Sequence, residues 1–152
     1  MPTSRGWRRA IMVDAAVITA KLRELEDRIG RVEAHRPADA ASLARDRDAL
    51  DLVSFNLMLA VQACLDIASH LIADEGWPAA ASLGEAFQRL GDQGVLTSAT
   101  SQALRRAAGL RNVVAHGYSE AHPDLLYAAA LRGPADLRLF AGEVSSWVRK
   151  RI

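Results

Sequence analysis

Little in this chain offers the usual handles on chemistry. A single cysteine, Cys64, stands in an apolar run, which excludes an internal disulfide and any cysteine-built zinc site. Aromatic residues make up only 5% of the chain, and Trp7, Trp77 and Trp147 are scattered along it. Their spacing predicts core or interface area and no stacking platform for unpaired bases. Neither sign of charge dominates: 19 Lys and Arg against 18 Asp and Glu leave a net charge of +1. Any contact with nucleic acid must therefore come from a local basic patch. Near the start, Asp14, Lys21 and Arg23 interrupt the apolar residues, so neither a signal peptide nor a membrane span is expected. No repeat or low-complexity segment occurs. A reducing, cytoplasmic setting is the expectation.

Also missing is any run of period-two alternation rich in β-branched and aromatic residues, so no sheet is predicted. What the chain does have is helical periodicity. Ile11, Ala15, Ile18, Leu22, Leu25, Ile29 and Val32 recur every three or four residues, the stripe of an amphipathic helix over 8–35. A second stripe through Leu43, Leu50, Leu57, Cys64, Ala68 and Leu71 predicts a helix over 39–75, stopped by Gly76 and Pro78. Ser82 and Glu85 have capping-box spacing for a short helix over 83–92, ending near Gly91 or Gly94. Thr97 or Ser98 caps the next, about 98–116, with Gly117 placed for a left-handed cap. Pro123 suits the first turn of a fifth helix, and Gly133-Pro134 predicts a break before a last one through Leu137, Phe140, Val144 and Trp147. The chain reads as a single all-α domain over 1–152, with the two long helices paired antiparallel through the turn at 36–39.

One stretch concentrates chemistry. "GLRNVVAHGY", residues 109–118, brings Arg111, His116 and Tyr118 to one helix end. On a regular helix Arg111 and His116 stand about 140° apart, so the arginine stem must reach or the helix end must deform. Histidine trades protons near neutral pH, and guanidinium offers a planar fork to phosphate oxygens. The pair suits RNA cleavage without a metal: His116 takes the proton of a ribose 2′-hydroxyl, the oxygen attacks the adjacent phosphate, and Arg111 stabilises the added negative charge. The structural alternative stays open on physics alone. A histidine in the last turn meets the helix dipole, a glycine caps the end, and the arginine is solvated.

The stretch "RNVVAHGY", an Arg, four residues, a His, any residue and a Tyr, resembles the signature of HEPN-domain ribonucleases, most closely their HepT-like toxin branch. The likeness extends over about 45–127, from "RDRDALDLVSFNLMLAVQACLDIASHLI" to the motif. It implies an antiparallel helical bundle with two long and three to four shorter helices, a two-fold homodimer with a shared cleft, and metal-independent RNA cleavage by Arg111 and His116 with no cofactor. It also implies a cognate minimal nucleotidyltransferase antitoxin, MntA-like, that transfers AMP to Tyr118. An adenylylated tyrosine would set a charged phosphodiester beside the cationic cleft and compete with RNA for Arg111. The family also contains non-catalytic partners of nucleotidyltransferases, and a bare dimerisation scaffold is a third reading. Ala115 and Gly117 depart from the polar residues that many members carry beside the histidine.

Other residues carry weaker signals. Asp66 and His70 lie four apart on one helix face and suggest a hydrogen-bonded pair beside the cleft, because two ligands make no metal site. Asn112, Asp66, Arg105 and Arg106 are candidates for cleft or RNA contacts, with Arg45 and Arg47 extending a cationic rim; a solvated charged face is the alternative. Ser4, Ser69, Ser119 and Ser145 lack a nucleophile elbow or adjacent base. His35 and His122 sit at helix ends and read as structural.

Overall fold

The computed structural model describes residues 4–115 and 122–151, with side chains from Ala15 onward apart from Val113 and Ala115. Among the described residues six helices follow one another: α1 (Ser4–His35), α2 (Ala40–Arg45), α3 (Arg47–Glu75), α4 (Leu83–Asp92), α5 (Ser98–Ala115) and α6 (Pro123–Arg151). No strand interrupts them among the described residues, as the lack of period-two patterning predicts.

Two boundaries depart from the sequence expectation. The helix expected over 39–75 is broken at Asp46, which has extended backbone (φ −108°, ψ 98°) and ends α2 while capping α3. Its carboxylate accepts from the Ala49 N–H at 3.1 Å, the usual work of an N-cap aspartate. The apolar stripe hides this break because Leu43 and Leu50, one on each side, are both buried and keep the seven-residue spacing across it.

The second departure is at Gly133-Pro134, where α6 runs through unbroken. Proline removes the N–H that would serve the carbonyl four residues earlier. That carbonyl, on Ala130, instead accepts from Arg36 Nη1 at 2.8 Å. A Cβ at Gly133 would meet Leu57 Cδ1 at 3.4 Å, an ordinary contact, so the glycine is not forced by packing. The dipeptide that looks like a break is thus accommodated inside one long helix.

The remaining stops follow their signals. Gly76 ends α3 in the left-handed region (φ 68°), with Trp77 N–H reaching Ile72 O at 3.0 Å, a Schellman closure. Ser82 Oγ accepts from Glu85 N–H at 3.2 Å, while Glu85 Oε2 reaches back to Ala81 N–H at 2.8 Å. Thr97 Oγ1 accepts from Thr100 N–H at 3.2 Å and so caps α5. His122 O accepts the Leu126 N–H at 3.2 Å as α6 begins at Pro123, and His35 is the last residue of α1.

The long helices α1 and α3 are antiparallel, since Lys21 meets Asp66 and Arg28 meets Asn56 along the same seam. Fourteen residues of α3 are buried, more than any single helix face supplies, so α3 is the central helix that the others wrap. Contrary to the expectation that no stretch matches a membrane span, α3 is long and apolar enough to cross one by length and composition. Its apolarity is spent on the core, where Phe87 and Phe140 meet edge to face at 6.0 Å beside fully buried Leu25, Ile67 and Leu104. Cys64 is also fully buried there, and desolvation drives its thiol pKa up.

Candidate functional site

Arg111 lies in the last turns of α5, and the long helix α3 gives it a partner. Its Nη2 donates to Gln62 Oε1 at 3.0 Å. The amide is held the right way round because Gln62 Nε2 donates to Asp66 Oδ1, one turn along α3, at 3.0 Å. Asp66 in turn receives Lys21 Nζ from α1 at 3.3 Å. Glu24 first, and Asp66 second, raise the Lys21 pKa above its ordinary value, so the ammonium stays charged and anchors the relay. A path of four side chains on three helices therefore ends at the guanidinium, whose Nε is buried and has no acceptor among the described residues.

Sequence reasoning placed Asp66 near the cleft but paired it with His70. The structure separates them: His70 Nε2 lies 3.5 Å from Asp74 Oδ2, one turn beyond, while Asp66 turns to Gln62 and Lys21. Gln62 and Lys21 were missed. A glutamine four residues before an aspartate is a common helix pair, and nothing local connects it to an arginine 49 residues away.

His116 and Tyr118, with the expected cap at Gly117 and also Ser119, lie outside the described residues, so Arg111 is the described member of the motif. Asn112 follows it and is exposed. Arg105 and Arg106 do not form one rim. Arg105 spans from α5 to α4, where its Nη1 donates to Gln88 Oε1 at 2.9 Å. Arg106 turns toward α6, to a hollow shared with Arg132 and Asp136. Adjacent helical residues point about 100° apart, which accounts for the split. Arg45 and Arg47 line a shallow hollow with Pro123.

The outer surfaces of α3, α4 and α5, with the connection between α3 and α4, border an open groove of about 790 Å³. Asn112, Gly109, Ala108 and Arg105 form its α5 wall, Ser69 lies on its α3 wall, and Trp77 closes one side. Trp77 also packs against Trp147, with ring centroids 5.9 Å apart at 61°, so these two tryptophans are not scattered in space. Trp7 belongs to α1, and its side chain is not described.

The chain as a whole is similar to known proteins. The family model described as "Ribonuclease HepT-like" matches residues 22–144. The mRNA nuclease HepT of Shewanella oneidensis is 30% identical over 88 residues, 58% of this chain and 66% of the relative, just under two thirds of its length. Among solved structures, a tri-AMPylated Shewanella oneidensis HEPN toxin in complex with MNT antitoxin superposes with a TM-score of 0.78 at 25% identity, covering 86% of this chain and 97% of that one. A mutant MntA–HpeT toxin–antitoxin crystal structure gives a TM-score of 0.78 at 24% identity, covering 86% and 98%, and shares the fold.

Proposed function

Because the chain belongs to the HepT-like ribonuclease family, we propose that it is a metal-independent endoribonuclease toxin acting through Arg111 and His116. One observation carries this reading: Gln62 anchors the Arg111 guanidinium through Nη2, and Nη1 makes no hydrogen bond among the described residues. A phosphate oxygen is the acceptor a guanidinium fork suits best. His116 takes the ribose 2′ proton, the 2′ oxygen bonds to phosphorus, the bond to the 5′ oxygen breaks, and the proton returns to that leaving oxygen. Arg111 stabilises the charge that builds up on the phosphorane.

Regulation follows from the same cleft. The tri-AMPylated HEPN toxin in complex with MNT antitoxin supports a cognate nucleotidyltransferase partner that silences this chain by transferring AMP to Tyr118. A two-fold homodimer fits the outward stripe of α3: Phe55, 50% exposed, shares a helix face with Gln62 and Asp66, and Leu52, 38% exposed, flanks it. Such a toxin works in the cytoplasm, where its RNA is.

The test is RNA cleavage in EDTA by the wild type, Arg111→Ala and His116→Ala, with intact-mass spectrometry after exposure to a neighbouring nucleotidyltransferase and ATP. The reading expects cleavage by the wild type alone, and an AMP mass gain that stops it and is absent in Tyr118→Phe. Wild-type protein that neither cuts RNA nor gains mass would sink it in favour of a non-catalytic binding module.

A further inference from the structure

We infer that the groove between α3, α4 and α5 is a nucleobase subsite that takes one unpaired base of the RNA flanking the scissile phosphate. This rests on the nuclease reading above and adds to it a site that the motif does not contain. The volume, about 790 Å³, lies within the range of about 300–1,000 Å³ typical of small-molecule sites.

Its lining matches the chemistry of a base, which has flat apolar faces and polar edges. Arg105 and Asn112 are seven residues apart on α5 and nearly eclipsed, so both face the groove, with Ala108 and Gly109 between them. Gly109 is exposed, and a Cβ added there would meet nothing within 4 Å. The groove is thus open down to the helix backbone at its middle. Trp77 supplies an aromatic surface and Ser69 a hydroxyl. The Asn112 amide, a donor and an acceptor together, has no side-chain hydrogen bond among the described residues. Arg105 spans one end toward Gln88 at 2.9 Å.

Position relates the groove to the scissile phosphate: Asn112 follows Arg111 on α5 but points about 100° from it, so the RNA chain would turn about the helix from the guanidinium to enter the groove, which then runs about 10 Å along α5 to Arg105. The charge fits the same occupant: the basic group at the far end is an arginine, and the α5 wall carries no acidic residue. Double-stranded RNA does not splay its bases, so the subsite selects unpaired segments.

The experiment measures binding of a short fluorescent unpaired RNA to His116→Ala protein, and cleavage of the same RNA by proteins with His116 intact. Each is run without further change and with Gly109→Ala, Gly109→Leu, Arg105→Ala or Asn112→Ala. Gly109→Ala reports folding, since its methyl group meets nothing, whereas Gly109→Leu fills the groove. The expected result is binding about tenfold weaker for Gly109→Leu, with KM raised in step. An abasic nucleotide walked along the RNA should weaken binding at one flanking position only, and not in Gly109→Leu. Wild-type protein that cuts RNA while Gly109→Leu matches it in KM and abasic profile overturns the subsite and leaves the nuclease reading standing. Weaker capture by the nucleotidyltransferase with RNA binding unchanged overturns it in favour of a protein contact. Wild-type protein that neither binds nor cuts RNA overturns both.

Discussion

Gln62 reaches Arg111 by one hydrogen bond and Asp66 by another, so replacing it tests how the relay positions the guanidinium. A neutral amide has two possible orientations, and Asp66, accepting from Gln62 Nε2, selects the one that presents oxygen to the guanidinium. Replacing Gln62 by leucine also takes a donor from Asp66, and it removes from Arg111 a hydrogen bond worth about 1.5–3 kcal/mol. If that interaction is fully used in the transition state, the loss is about tenfold to a hundredfold in kcat. The expected outcome is a fall of that size with a modest drop in melting temperature, read from steady-state RNA cleavage and thermal unfolding. An unaltered kcat would show that Arg111 orients itself.

At the scale of elements, the uninterrupted α6 depends on a side chain from outside it. Arg36 satisfies the Ala130 carbonyl at 2.8 Å because Pro134 provides no N–H four residues on. Arg36→Ala is expected to cost about 1–2 kcal/mol by leaving that carbonyl without a donor. In a Pro134→Ala background the helix can supply its own N–H, so the same arginine substitution should cost much less. A double-mutant cycle by urea unfolding reads the difference as a coupling energy. Additive effects would mean that Arg36 contributes only packing and charge.

Across the whole molecule, α6 is tied to α1 by Arg138, whose Nη2 reaches Glu26 at 3.0 Å and Glu33 at 2.6 Å. The hydrogen bond from Arg138 holds the Glu33 pKa below its ordinary value of 4.5. A carboxylate depressed in the folded state adds stability that is present above its unfolded pKa and is lost as pH falls through the folded one. Arg138→Ala should therefore lower the melting temperature slightly at neutral pH and flatten its dependence below about pH 4.5, with a small size because the pair is exposed. The outward face of α3 makes a second prediction at this scale. Phe55→Lys, placed beside Arg28, whose guanidinium lies 5.8 Å from the Phe55 ring centroid, should turn the proposed dimer into a monomer in sedimentation at micromolar protein. An unchanged sedimentation coefficient would remove Phe55 from the interface.

The sequence by itself determined the helical class and most helix ends, because these depend on local physics. Periodicity is read within a few turns, a cap bonds residues three or four apart, and Gly76 takes its left-handed φ with no distant help. Tertiary structure decided what depends on partners far along the chain. Pro134 stays inside a helix because Arg36, 94 residues from Ala130, bonds the carbonyl it leaves. Asp66 turns from His70 to Gln62 and Lys21 because α1 and α5 pack on either side of α3, bringing Lys21 within 3.3 Å and Arg111 within reach of the amide. The arginines at 105 and 106, neighbours in the chain, end on separate surfaces because α4 and α6 cover different faces of α5. Hydrophobic patterning reports which face of a helix is buried and is silent on what it is buried against, and the site's geometry lies in that second fact.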